Sequence, residues 1–91
     1  MLNELLILTK IKAGDIKAFE ELFRRYYFPL CCYAAGITGQ MAVAEEIVEE
    51  LFYVLWKERV RLQIFQSVKS YLYRATRNQS LQYCEHEEVR N

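Results

Sequence analysis

Proline occurs once, at Pro29, and glycine three times, at Gly14, Gly36 and Gly39, in a chain of 91 residues. So few breakers permit long helices and count against a turn-dense β architecture. The cysteines, Cys31, Cys32 and Cys84, are odd in number and lack the spacing of a disulfide framework or a zinc site. Cys31 and Cys32 lie among apolar residues, as buried thiols of a reducing cytoplasm do. His86 is the only histidine, and Cys84 lies two residues from it, a spacing that suits no zinc ligand pair. No nucleophile–base pair and no glycine-rich phosphate loop stands out. An enzyme is therefore not expected, nor a metal or cofactor. Net charge is zero, with 12 cations and 12 acids, so the total gives no sign of a nucleic-acid partner. Long apolar runs are also missing. The opening MLNELLILTK is interrupted by Asn3 and Glu4 and reads neither as a signal peptide nor as a membrane span.

Hydrophobic residues make up 53% and aromatics 14%, enough for one small domain with a real core. The pattern predicts an all-α bundle of about four helices. Leu2, Leu5, Leu6, Leu8 and Ile11 mark a short first helix within residues 1–13, which Gly14 stops. Asp15 caps a long second helix over 15–38, with Ala18, Phe19, Leu22, Phe23, Tyr26 and Tyr27 at helical spacing. Pro29, which lacks a backbone donor and crowds the preceding turn, predicts a kink near Phe28. A third helix covers 41–58. Residues 59–66 read as a loop partly packed on the core. Ser67 caps a fourth helix over 67–84, beyond which CEHEEVRN is expected to fray. The expected core is Phe19, Leu22, Phe23, Ile47, Val48, Leu51, Leu55, Val68 and Leu72, with Ala75 on the buried stripe of the fourth helix. Trp56 is expected at the base of the third helix.

Charge is distributed unevenly. Glu45, Glu46, Glu49 and Glu50 cluster on the third helix without a cation among them. From Lys57 to Arg77 there are six cations against one acid, Glu58. Lys69, Tyr73, Arg74, Arg77 and Asn78 fall on the polar sides of the fourth helix, and Tyr71 falls closer to its buried side. Cations beside an aromatic suit a phosphate backbone with unstacked bases, and an acidic helix suits a basic helical partner. Two solvated helix faces in a small protein-interaction module, with no nucleic acid, are the alternative reading.

Three segments in order, GDIKAFEELFRRYY, AEEIVEELFYVLW and SVKSYLYRATRN, resemble the second conserved region of an ECF (extracytoplasmic function) sigma factor. The resemblance spans nearly the whole chain. It implies a non-catalytic, cytoplasmic specificity subunit of RNA polymerase. By that resemblance Glu46, Glu49, Glu50, Phe52 and Tyr53 bind the β′ clamp helices of core polymerase. Glu46 replaces the family's usual aspartate and Glu49 its usual glutamine, which keeps the acidity but removes an amide donor. The following loop and helix, through Arg61, Leu62, Gln63, Lys69, Tyr73, Arg74, Arg77 and Asn78, are implied to recognise and melt the promoter minus-ten element. The resemblance implies that the loop, from Leu62 to Ser67, holds a flipped base of the non-template strand. An anti-sigma factor is a frequent partner in the family. The family's second, helix-turn-helix domain is expected to lie outside this chain, which stops at Asn91.

Overall fold

The structure, a computed structural model, describes residues 3–64 and 67–90. They form four helices: α1 (Glu4–Lys12), α2 (Ile16–Thr38), α3 (Met41–Lys57) and α4 (Val68–Arg90). The expected all-α architecture holds. The Asn3 side chain accepts a hydrogen bond from Leu5 N–H at 2.9 Å and opens α1. Gly14, at φ +92°, closes that helix in the left-handed region that an L side chain would resist. Asp15 Oδ1 then accepts from the amides of Lys17 and Ala18 at 3.0 and 3.3 Å, a cap worth about 1 kcal/mol. Helix α2 continues through Pro29 and ends at Gly39, also left-handed at φ +77°.

Helix α2 is the centre of the bundle and packs against all three others; α3 also packs against α4. Its Leu22, Leu30 and Ala34 are fully buried. They meet Ile7 and Ile11 of α1, Val48, Phe52 and Leu55 of α3, and Val68 and Leu72 of α4 within one core cluster. Phe52 is its largest fully buried side chain, with Phe19 and Phe23 at ring centroid distances of 6.1 and 5.0 Å. Burying such a ring contributes roughly 2–3 kcal/mol of transfer free energy.

Several expectations are corrected. On α1 the buried side is Ile7, Leu8 and Ile11, while Leu5 and Leu6 are exposed. The buried stripe therefore follows the helical i, i+1, i+4 positions from Ile7, which include Leu8 but leave out Leu5 and Leu6. Phe19, Phe23 and Leu51 are half-buried against the core, and Ile47 is half-buried outside the core cluster. Cys31 is buried but Cys32, one residue and about 100° further round, is exposed. On α4 the buried stripe runs in steps of four, Val68, Leu72, Thr76 and Ser80, which leaves Ala75 half-buried. The Thr76 and Ser80 hydroxyls are sealed in, without a hydrogen-bond partner among the described residues. Helix α4 also does not fray at Tyr83. It continues to Arg90, and the Cys84 thiol donates to the Ile37 carbonyl of α2 at 3.4 Å. Trp56 stands as expected, half-buried near the end of α3 and packed on Phe19.

A polar clamp fixes α1 to α2. Arg25 pairs with Glu4 at 3.2 Å and with Glu21 at 3.0 Å, and the Tyr26 hydroxyl donates to Glu4. Burial first, then the Glu4 carboxylate, push the Tyr26 phenol from 10.0 up to about 12. The Tyr27 phenol is raised too, by burial and by its hydrogen bond to Glu49. A raised folded-state value means that the native protein keeps a proton the unfolded chain releases. The resulting stability is complete below pH 10 and declines as pH rises from 10 towards 12. Thermal melting followed across that window is expected to show a falling midpoint. Tyr26→Phe is expected to flatten the fall.

Candidate polymerase and nucleic-acid interfaces

Helix α3 turns Ala44, Val48, Phe52 and Leu55 inward. That register places Glu45, Glu46, Glu49, Glu50 and Tyr53 outward, all exposed. Among the described residues Glu46 and Glu50 form no ion pair, while Glu49 accepts the Tyr27 hydroxyl at 3.0 Å. Beside this face α3 and α4 line a groove of about 420 Å³. Val43, Ile47, Leu51 and Val54 supply its apolar wall, Glu46 and Glu50 its acidic residues, and Gln79 and Tyr83 the side from α4. An apolar groove with unpaired carboxylates fits an amphipathic helix that carries cations beside its apolar stripe.

The second surface begins where α3 ends. Arg59 lies 4.2 Å over the Trp56 ring and donates from Nη1 to the Trp56 carbonyl at 2.9 Å. A cation stacked on indole, and bonded to a carbonyl at a helix C-terminus, anchors the start of the loop. Arg61 is exposed and pairs loosely with Glu58 at 3.8 Å. Gln63 is exposed, whereas Ile64 packs against the core. Ser67 Oγ accepts from the Ser70 amide at 3.0 Å and starts α4. Lys69, Arg74, Arg77 and Asn78 are exposed along that helix. Lys69 and Arg77 form no ion pair among the described residues. Tyr73 is half-buried, its ring edge-to-face with Tyr33 of α2 at 5.1 Å.

Most residues singled out from the sequence thus fall on one of two surfaces, with two exceptions. Phe52 was expected to face a partner but is 2% exposed, because its position on α3 shares the inward stripe with Val48 and Leu55. Leu62 was expected to touch DNA but is 9% exposed, because the loop folds this apolar side chain onto the core. Both can shape a surface only from beneath. Phe65 and Gln66 of the expected base-holding loop lie outside the described residues. Sequence reasoning missed Arg59, Val54, Gln79, Tyr83 and Tyr33. Only Arg59 carried a signal, as a cation one helical turn beyond a tryptophan.

The helical bundle thus carries an acidic groove between α3 and α4 and a cationic, aromatic edge along α4. The Sigma-70 region 2 family matches residues 22–88, so the chain belongs to the sigma-70 family through this domain. It is a sigma factor domain of transcription initiation, a transcription-factor domain whose partners are core RNA polymerase and promoter DNA. Searches among curated proteins and among solved structures found no match to this chain. Among the described residues no helix is long and apolar enough to cross a membrane.

Proposed function

We propose that this domain is the region 2 module of an ECF-subfamily sigma factor acting in the cytoplasm. Helix α3 docks on the β′ clamp helices of core polymerase through Glu46, Glu49, Glu50 and Tyr53. The loop after α3 and the exposed side of α4 take up the non-template strand of the melted minus-ten element. Lys69, Arg74 and Arg77 meet phosphates, and Asn78 presents an amide to a base edge. Arg61 and Gln63 flank the strand where it enters the loop. The observation that carries this reading is the separation of charge. Acids without ion pairs face outward on α3, cations face outward on α4, and among the described residues no ion pair joins Glu46 or Glu50 to Arg77.

Binding of a single-stranded minus-ten oligonucleotide, measured against salt with core polymerase present, tests it. Each phosphate contact to a single strand contributes about 0.7 to the slope of log affinity against log salt. Lys69→Ala plus Arg77→Ala is expected to lower that slope by about 1.4 and to weaken binding uniformly across sequences. An unchanged slope would remove α4 from the strand.

A further inference from the structure

An unpaired base needs a ring to stack on, and α4 alone provides a poor one. Tyr73 is half-buried and packed against the core, so much of its ring is already covered. The more open ring beside it belongs to α2. Tyr33 is 36% exposed and meets Tyr73 edge-to-face at an interplanar angle of 67°. That contact holds the outer ring against Tyr73 while Tyr33 keeps part of its surface in solvent. Among the described residues the Tyr33 hydroxyl makes no hydrogen bond. On α4, Lys69 and Arg77 lie four residues to either side of Tyr73, one helical turn each way, so cations bracket the aromatic pair.

We propose that Tyr33 is the outer stacking platform for an unpaired base of the captured strand, with Tyr73 as its brace and Lys69 and Arg77 on the flanking phosphates. The ligand class is single-stranded nucleic acid. Stacking tolerates any base, since each has a π face, so Tyr33 contributes affinity rather than sequence choice. A ring held in place before binding also gives up little conformational freedom when the base arrives. This inference rests on the reading that α4 borders the opened strand.

The test uses the whole chain with core polymerase and a minus-ten single strand carrying 2-aminopurine. Wild type is expected to bind and to quench the probe. Tyr33→Leu is expected to bind roughly 10-fold more weakly, within the range for losing one base–aromatic stack, with less quenching and an unchanged salt slope. Tyr33→Phe keeps the ring and is expected to behave as wild type. Tyr33→Trp supplies a second readout, an added emission that shifts when the strand binds, even if Tyr33→Leu melts early. Equal affinity and quenching for wild type and Tyr33→Leu overturns the proposal while leaving the strand-binding role of α4 intact. So does a Tyr33→Trp emission that the strand does not move. A loss in Tyr33→Phe equal to that in Tyr33→Leu assigns the effect to the hydroxyl and also overturns it. Failure of wild type to bind overturns both this inference and the reading beneath it.

Discussion

Glu46→Arg combined with Glu50→Arg is expected to abolish capture of the domain by core polymerase, with affinity falling roughly 100-fold or more. The two carboxylates are exposed, belong to one groove between α3 and α4, and are not neutralised by any described cation. Reversing both turns attraction for a basic partner helix into repulsion. Like-charge juxtaposition at an interface costs several kcal/mol, and each 1.4 kcal/mol is about tenfold in affinity. Neither side chain contributes to the core, so the melting midpoint is expected to move little. Pull-down with isolated β′ clamp helices, alongside a thermal melt, measures both quantities. Equal retention of wild type and double variant would refute the α3 docking face. Tyr27 holds Glu49 by a hydrogen bond, so charge reversal there would also disturb the α2–α3 contact and is a less clean test.

The other large effect lies directly beneath that face. Phe52→Ala is expected to cost about 3–5 kcal/mol, the usual range for emptying a fully buried aromatic site. A domain of this size has about 5–15 kcal/mol in total, so much of its stability would go. The melting midpoint should fall by about 15–30 °C. Differential scanning calorimetry checks the size, and the aromatic contacts to Phe19 and Phe23 give the reason. Polymerase binding would be lost at physiological temperature because α3 no longer holds its register, without Phe52 touching the partner. Phe52→Leu, which retains most of the apolar volume, should recover both stability and binding in large part. If Phe52→Ala stays fully folded yet loses polymerase, the side chain acts at the surface and its buried placement is wrong.

Phe52 also shows what the chain alone could and could not reveal. The helices were legible because their ends are written in local chemistry. Asp15 caps, Gly14 and Gly39 terminate, and apolar residues recur at helical spacing between them. The inward stripe of α3 was legible only in part: Val48 and Leu55, seven apart, are buried as expected, whereas Ile47 and Leu51 are half-buried and line the groove. Phe52 lies on that stripe four residues after Val48, but its place in a family motif drew it outward. Motif membership does not say whether a side chain acts by contact or by support. The buried line on α4 was hidden for a different reason. Thr76 and Ser80 are polar, and hydropathy points to Ala75 instead. Only the tertiary packing of α4 shows that those hydroxyls go inside. The groove and the Tyr33–Tyr73 pair were invisible because each joins residues from two helices far apart in sequence, and periodicity describes one helix at a time.

Helix α2 lies against the other three helices, and this governs how the domain comes apart. A local opening of α1 can occur while α3 and α4 keep their backing. An opening of α2 removes the support under α3 and under α4 in the same event. Heating past that point should extinguish polymerase docking and strand capture together, as one cooperative loss rather than two successive ones.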